Sequence, residues 1–292
     1  MNIITFDIEE WALAKDGGYG SPAKYAEYDN CLNRILELLD NSNIKGTFFC
    51  TGKMAETFPH VVKTIQAQGH EIGCHSYQHT WMNKMTESEA REDTHKAIFA
   101  LEQCIGDKIR CYRAPAFSIG ESNKWMFEIL SENGITNDAS VFPAQRDFGG
   151  FPNFKVTNPC IISHNGIQVT EFPIPVTILF SKRIAYSGGG YFRFFPLWFI
   201  KSQMKKQAYN MCYFHIEDLL PQDEGVMSKE QYESYFKEPG TAKNRYLRYI
   251  KTNIGKNGAF KKMEKLIKEN SFVNLDVAAN LSKNKELPVV YI

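Results

Sequence analysis

The sequence predicts an α/β fold with a mainly parallel sheet, either open or closed into a barrel. Along the first half of the chain, short apolar segments typical of strands alternate with amphipathic segments typical of helices. Glycines end several of the helical segments, and a Thr-x-x-Glu capping box begins another. Repeated strand–helix units of this kind connect parallel strands. The 292 residues suffice for one barrel-sized domain or for two smaller domains.

The predicted elements follow one another regularly up to about residue 140. Strands are expected at residues 3–6, 46–50, 71–74, 109–112 and 135–137. Helices are expected between them, at residues 25–39, 58–68, 86–104 and 124–132. In the less regular second half, residues 169–172 and 211–214 resemble further strands. The glycine-rich aromatic segment 187–196 is either a tight hairpin or a lip of a substrate groove.

No linker divides the sequence convincingly, so we expect a single domain over residues 1–292. Its motif-bearing core would cover residues 1–220, and a mainly helical C-terminal extension would cover residues 221–292. The extension is rich in lysine, which is typical of a solvated helical face.

Composition and charge exclude several classes of protein. A net charge of +1 gives no electrostatic reason to bind nucleic acid or an anionic membrane. The most apolar late stretch, residues 191–200, contains Arg193 and Pro196 and is too short for a transmembrane segment. The first residues lack the basic and apolar regions of a signal peptide. Seven cysteines without a CxxC pair are expected to be reduced, so we predict a cytoplasmic protein.

Polar residues follow the predicted strands repeatedly. In parallel α/β folds, functional residues gather at the carboxyl ends of the strands. Here such residues follow the first, third, fourth, fifth and last strands: Asp7 and Glu9, His75 and His79, Arg113, Asp138, and His215. Random placement of surface polar residues would not favour one end of every strand. The sequence therefore predicts one functional site at this end of the sheet.

His75 and His79 are candidate metal ligands. Histidines four residues apart lie on one side of a helical turn, which suits two imidazoles on one cation. Alone, such a pair is more often a surface or hydrogen-bonded pair. Asp7 and Glu9 favour the metal hypothesis, because in an extended segment both side chains point to one side, away from Glu10.

One carboxylate with two histidines is a common catalytic zinc site, and a second carboxylate nearby can act as general base. The alternative is that Asp7 caps a turn while Glu9 and Glu10 are solvated. Arg113 could hold a carboxylate by hydrogen bonds and keep it ionised, or form a purely structural salt bridge. His215 could be a general acid or a hydrogen-bonded core residue.

These clusters, in this order, resemble the polysaccharide deacetylases of the NodB-homology type, carbohydrate esterase family four. The resemblance spans residues 5–215 and rests on Thr5-Phe6-Asp7, His75-Ser76-x-x-His79, Arg113-x-Pro115, Asp138 and His215. It implies a distorted (β/α) barrel of about seven parallel strands. It also implies a divalent metal, usually zinc, and an N-acetylated sugar or glycan as substrate.

The resemblance implies that Glu9, His75 and His79 are the metal ligands and that Asp7 is the base that activates the attacking water. The family has an adjacent acidic pair, which is replaced here by Asp7-Ile8-Glu9-Glu10. The acidic ligand is therefore either Glu9 or Glu10, and strand alternation favours Glu9.

The remaining roles also come from the resemblance. Arg113 would orient the base, His215 would protonate the leaving amine, and Asp138 would support this acid–base machinery. A backbone N–H near Ala116 would stabilise the oxyanion. The tyrosine of the third family motif is missing, with Ala116 and Phe117 in its place. The backbone donor survives this change, but a side-chain contact with the substrate need not.

A subgroup of the family with a D-[VI]-E-[DE]-W opening matches Asp7 to Trp11 here, which makes Trp11 a candidate for the substrate side. Members of this subgroup accompany exopolysaccharide or surface-glycan biosynthesis. We therefore predict removal of N-acetyl groups from a sugar or glycan intermediate in bacterial polysaccharide synthesis. The alternatives are hydrolysis of another linear or cyclic amide, as by a deformylase or ureide hydrolase, and a non-catalytic glycan-binding protein.

Overall fold

The computed structural model describes residues 1–146, 148–221, 225–236, 238–283 and 286–292. In these residues the strands are β1 (Asn2–Ile8), β2 (Thr47–Cys50), β3 (Glu71–Cys74), β4 (Cys111–Tyr112), β5 (Asn137–Asp138), β6 (Cys160–His164), β7 (Ile167–Glu171), β8 (Val176–Leu179), β9 (Lys182–Ala185), β10 (Asn210–His215) and β11 (Val289–Tyr291). The helices are α1 (Glu10–Asp16), α2 (Pro22–Asn41), α3 (Gly52–Thr57), α4 (Pro59–Ala67), α5 (Glu87–Ile105), α6 (Met126–Glu132), α7 (Gly189–Phe194), α8 (Leu197–Lys206), α9 (Ile216–Leu219), α10 (Lys229–Phe236), α11 (Ala242–Asn253), α12 (Ala259–Lys268) and α13 (Leu275–Lys283). None of the helices in these ranges has the length and apolar composition needed to cross a membrane.

A single large sheet organises the described residues, with the strand order β10-β1-β2-β3-β4-β5-β7-β6-β11. Each neighbouring pair from β10 to β7 is parallel, which gives seven parallel strands and confirms the predicted fold class. β6 then pairs antiparallel with β7, and β11 lies parallel to β6. β8 and β9 form a separate hairpin.

Side chains join the two ends of the parallel run. Phe172 follows β7 and packs against Tyr209, which precedes β10, with 6.4 Å between the ring centroids. The Tyr209 hydroxyl donates a hydrogen bond of 2.9 Å to the carbonyl of Pro173. The backbone ladder itself begins at β10 and ends at β11. The barrel is therefore distorted, since its seam is closed by packing and not by strand pairing.

Strand alternation divides the apolar residues between two cores. In β1, Ile4, Phe6 and Ile8 belong to the outer core between the sheet and the helices. Ile3 belongs to the inner core, which fills the barrel with side chains from strands around the sheet. Because successive side chains of a strand point to opposite faces, Asp7 points to the inner side, as Ile3 does.

The boundaries of the regular elements agree with the sequence pattern where local signals are strong. β3 covers the predicted residues, and Thr86 forms the predicted capping box with Glu89 at the start of α5. Segment 187–196 differs, because it contains α7 and not a hairpin. The C-terminal extension is mainly helical, as predicted, but β11 returns to the edge of the sheet.

Two acidic side chains meet inside the barrel. Asp138 of β5 and Glu171 of β7 are register partners, and both are fully buried. Burial raises the pKa of both carboxyl groups, and the charge of Asp138 raises the pKa of Glu171 further. Ser140 Oγ donates to Asp138 Oδ1 at 2.6 Å, and the Val141 N–H donates to Glu171 Oε1 at 3.1 Å. Because two neighbouring buried carboxyl groups cannot readily both ionise, we expect this pair to retain a proton.

Glu171→Gln is expected to stabilise the chain more at pH 8 than at pH 5. Because the pKa of Glu171 is higher in the folded than in the unfolded state, the wild type loses stability as the pH rises above about 4.3, the unfolded value. Glutamine has no proton to lose, can still accept from Val141 and can donate to Asp138. Urea unfolding at both pH values should give a difference of at least about 1 kcal/mol.

The exposed Glu37→Gln on α2 is the matched control, and its effect should not depend on pH. An equal effect of Glu171→Gln at pH 5 and pH 8 would show that Glu171 does not retain its proton in the folded chain.

Candidate metal centre and acid–base site

The strand ends bring five of the predicted site residues into one pocket. β1 carries Asp7 inside the barrel, and Glu9 begins the turn into α1. β10 lies beside β1, with His215 as the register partner of Asp7. The loop after β3 brings His75 and His79 next to Glu9. Residues that are far apart in sequence therefore meet because their strands are neighbours in the sheet.

Glu9, His75 and His79 form a compact group of possible ligands. One atom of each residue lies within 4.8 Å of the others. Glu9 Oε2 lies 3.2 Å from His75 Nε2 and 2.9 Å from His79 Nε2. Burial raises the pKa of Glu9, but the charge of His79 and the imidazole hydrogen bonds outweigh this effect and hold it well below its usual range. The carboxylate is therefore ionised, as a metal ligand must be.

A main-chain carbonyl fixes the orientation of His75. His75 Nδ1 lies 2.7 Å from the carbonyl oxygen of Arg113. Because a carbonyl only accepts, Nδ1 carries a proton, and Nε2 is the ring nitrogen that faces Glu9. Metal-binding histidines are usually held by such an outer hydrogen bond. The geometry is thus that of a ligand nitrogen prepared for a cation.

The histidines approach each other through a loop and not through the helical turn that the spacing suggested. Ser76 and His79 both have positive φ values, of 62° and 64°. Ser76 Oγ accepts a hydrogen bond of 3.0 Å from the His79 N–H, and Asp93 accepts from the Tyr77 N–H at 3.0 Å. The helical premise of the prediction was wrong, although the two imidazoles do converge.

A divalent cation fits this group of acceptors. The buried Glu9 Oε2 faces the ring nitrogens of His75 and His79 at 3.2 and 2.9 Å. Two imidazole nitrogens and one carboxylate oxygen are a common zinc donor set. Glu10 is turned elsewhere, because its carboxylate accepts from the N–H groups of Glu9 and Glu217, each at 3.2 Å. Burial and the charge of Glu9 raise the pKa of Glu10 to about 8.

A buried ion pair holds Asp7. Arg113 Nη1 donates to Asp7 Oδ1 and to Thr5 Oγ1, both at 2.8 Å, and Arg113 Nε donates to the Ala139 carbonyl at 3.3 Å. Arg113 therefore donates to one carboxylate oxygen of Asp7 and not to both. The other oxygen, Asp7 Oδ2, lies 3.7 Å from His215 Nε2 and therefore faces the pocket.

His215 is the fifth residue of the pocket. Its side chain is 31% exposed, in contrast to 2% for the side chain of Asp7. Its Nε2 lies 3.9 Å from Glu9 Oε1, and its Nδ1 lies 3.0 Å from Asp218 Oδ2. Burial lowers the pKa of His215, but the hydrogen bond and charge of Asp218, with the charges of Glu9 and Asp7, raise it well above the usual value.

Asp218 is a residue that the sequence analysis missed. It lies in the first turn of α9, where it forms a capping box with His215. The His-x-x-Asp spacing directly after an apolar strand was the available signal, because an acid at that position faces back to the N-terminal residue of the helix.

The predicted oxyanion turn has an unusual backbone. Ala116 and Phe117 both have a φ of 53°. Arg146 Nη1 donates to the carbonyl of Ala116 at 3.0 Å. Gly149, with a φ of +62°, packs so closely that a Cβ atom would lie 2.4 Å from the same carbonyl oxygen, so only glycine fits there. Ala116 is partly exposed, whereas Phe117 is buried.

Two predicted site residues lie outside the pocket. Trp11 is fully buried, and its Nε1 donates to Asp29 at 2.9 Å. The prediction of a substrate contact for Trp11 was therefore wrong, because the indole belongs to the outer core. Asp138 is bonded to Ser140 and coupled to Glu171, and none of its contacts within the described chain reaches His215.

Comparison with known proteins identifies the two parts of the chain. Residues 4–137 match the family of polysaccharide deacetylases, and residues 139–280 match DUF3473, a domain of unknown function. Peptidoglycan-N-acetylglucosamine deacetylase of Bacillus cereus is 34% identical over 127 residues, which are 41% of this chain and 46% of that protein. The chain thus matches less than half the length of this relative.

Solved structures of low sequence identity share the fold. A Mycobacterium smegmatis protein assigned to the polysaccharide deacetylases has a TM-score of 0.63 at 17% identity, over 98% of this chain and 92% of its own. A Bacillus anthracis pseudoenzyme of carbohydrate esterase family four has a TM-score of 0.50 at 14% identity, over 100% of this chain and 69% of its own. These two structures show the fold alone, so the site must decide whether the chain has an activity.

Both matched parts contribute strands to the one parallel barrel, β1 to β4 from the first part and β7 and β10 from the second, with β5 at their boundary. Residues 4–137, somewhat less than half of the chain, therefore match the polysaccharide deacetylase family.

Proposed function

We propose that the chain is a divalent-metal-dependent hydrolase that removes N-acetyl groups from a sugar or glycan intermediate of bacterial polysaccharide biosynthesis. The observation that carries the proposal is the convergence of Glu9, His75 and His79 beside the buried Asp7–Arg113 pair. The name of the Bacillus cereus relative supports an N-acetylated sugar as substrate. This donor set is typical of zinc sites, but it can also bind other divalent ions.

The metal and Asp7 would share the activation of water. When bound to Glu9, His75 and His79, a divalent cation supplies Lewis acidity that polarises the acetamide carbonyl and the attacking water. Asp7 Oδ2 would take the proton from the water as its oxygen attacks the carbonyl carbon. Arg113 donates to the other oxygen, Asp7 Oδ1, which leaves Oδ2 directed at the pocket.

His215 and the Ala116 turn would assist the second part of the reaction. As the bond between the acetyl carbon and the sugar nitrogen breaks, His215 Nε2 would give a proton to that nitrogen, which leaves acetate and a free amine. The N–H groups of Phe117 and Ser118 donate to the carbonyls of Ala114 and Pro115. We therefore assign the oxyanion contact to the N–H of Ala116, the partly exposed residue of this turn.

Aromatic side chains at the rim are in keeping with a carbohydrate substrate. Trp81 follows His79 by two residues and packs against Phe148, with 4.8 Å between the ring centroids. Both side chains are partly exposed. Partly exposed aromatic rings offer an apolar surface on which a sugar ring can stack.

The cellular setting is also part of the proposal. All seven cysteines are free thiols, and six of them are buried. Unpaired cysteines in this number are typical of a reducing compartment, which supports the proposed cytoplasmic location.

His79→Ala is expected to abolish stoichiometric metal binding and acetate release. The loss of metal affinity should exceed the roughly 10–100-fold effect of removing an outer hydrogen-bonding partner. Metal analysis and acetate release from N-acetylated sugars measure both effects. His95→Ala, which removes an exposed histidine on α5, is the matched control and should resemble the wild type. Full metal content and activity in His79→Ala would refute the assignment of the ligands.

Asp7→Asn is expected to retain metal binding and to lose catalytic activity. Asparagine retains an oxygen for Arg113 but cannot take a proton from water, so kcat should fall by about 100- to 10,000-fold. Kinetics and metal analysis on the same samples separate the two effects. Asp16→Asn, on the exposed end of α1, serves as the control. A variant at Asp7 that keeps more than a tenth of kcat, or that loses the metal, would contradict its role as base.

A further inference from the structure

We propose that Asp218, itself held by Arg193, positions His215 for proton transfer, in place of Asp138, to which the family resemblance gave the supporting role. This inference rests on the proposed function for its meaning, but the geometry that carries it is independent of the substrate. Asp218 acts through His215 and does not itself contact the reacting atoms, so it is a positioning residue. Arg193 lies in the glycine-rich segment 187–196, whose role the sequence left open.

A single carboxylate oxygen holds both the ring and the main chain of His215. Asp218 Oδ2 lies 3.0 Å from His215 Nδ1 and accepts from the His215 N–H at 3.1 Å. A carboxylate without a proton only accepts, so Nδ1 carries the hydrogen. The ring is thereby fixed in one orientation, with Nδ1 directed at Asp218 and Nε2 directed at Asp7 and Glu9. This is the orientation that proton delivery into the pocket requires.

Arg193 fixes the other oxygen of Asp218. Arg193 Nε lies 3.0 Å from Asp218 Oδ1, as a charge contact and not as a directed hydrogen bond. The guanidinium also donates to the carbonyl of Thr252, and to those of Lys251 and Ile254 at 3.4 and 3.5 Å, at the end of α11. The arginine side chain is only 7% exposed. A chain of polar contacts therefore runs from the C-terminal end of α11 through Arg193 to Asp218.

The glycine-rich segment is shaped to place Arg193 at this point. A Cβ atom on Gly188 would lie 2.1 Å from the ring of Tyr213, so glycine lets α7 lie directly on β10. Gly255 has a φ of +71°, and a Cβ atom there would lie 2.3 Å from the Arg193 carbonyl. Lys262 Nζ donates at 2.9 to 3.0 Å to the carbonyls of residues 192, 193 and 195, which stabilises the end of α7.

Asp138 does not have a comparable geometry. It is fully buried within the barrel, accepts from Ser140 Oγ and is coupled to Glu171. Its oxygens are thus engaged in the interior, whereas those of Asp218 are directed at His215 and Arg193. The two acids can be separated experimentally, because only one of them is bonded to the imidazole.

Nitrogen-15 NMR of the histidine rings in the zinc-loaded full chain tests the proposal directly. His215→Ala identifies the His215 signals. In the wild type, Nδ1 of His215 should stay protonated when the ring loses its other proton on titration, and Asp218→Asn should change this pattern. In Asp138→Asn the His215 ring signals should remain as in the wild type. Unchanged His215 signals in Asp218→Asn, or changed signals in Asp138→Asn, would overturn the proposal.

Kinetics provide the second readout. Asp218→Asn should lower kcat by about 100-fold or more, with KM and zinc content within about twofold of the wild type, because orientation of the acid affects the chemical step. Asp218→Glu keeps a carboxylate and should recover at least about tenfold of the loss. Equal losses in the two variants, or a change confined to KM, would contradict the positioning role. Asp276→Asn, in the first turn of α13, is the matched control with unchanged kcat.

The two arms separate this inference from the proposed function. If the wild type releases no acetate, the proposed function fails, while the NMR result still decides whether Asp218 holds His215. If acetate is released but the proton on His215 Nδ1 does not depend on Asp218, only the positioning role fails.

Discussion

A buried arginine at the end of β4 is the interaction on which the site depends. Arg113 is fully buried, and its charge is tolerated there because Asp7, Thr5 and the Ala139 carbonyl satisfy the guanidinium. The main-chain carbonyl of the same residue accepts the Nδ1 proton of His75. One residue thus orients the proposed base through its side chain and a proposed ligand through its backbone. The metal half and the acid–base half of the pocket are therefore coupled at one point.

The rest of the pocket is held by backbone conformations that regular elements do not supply. Four non-glycine residues at the site, two around the histidines and two in the oxyanion turn, have positive φ values: Ser76, His79, Ala116 and Phe117. Such conformations cost energy and persist where the surroundings determine them. Here the surroundings are specific hydrogen bonds, from the His79 N–H to Ser76 and from Arg146 to the Ala116 carbonyl. The barrel places these residues at the strand ends, and the hydrogen bonds orient their side chains and backbone groups.

Hydrophobic periodicity and the order of the motifs were enough to predict the strands and the residues at their ends. Loop conformations and contacts between distant residues could not be predicted in this way. Alternation in β1 was enough to separate Glu9 from Glu10, and strand ends were enough to gather His215 with Asp7. The spacing of His75 and His79 could not distinguish a helical turn from a loop. Helix α7 was hidden because its glycines are poor helix formers. Arg193 depends on carbonyls some sixty residues later in the chain, which no local pattern reveals.

X-ray absorption at the zinc edge of the zinc-loaded chain tests the central claim most directly. We expect a coordination shell with two imidazoles and one carboxylate oxygen, from His75, His79 and Glu9. Glu10→Gln should leave that shell unchanged, whereas Glu9→Gln should remove the carboxylate and weaken zinc binding. A wild-type shell with fewer than two imidazoles, or a carboxylate that disappears in Glu10→Gln and remains in Glu9→Gln, would contradict the account.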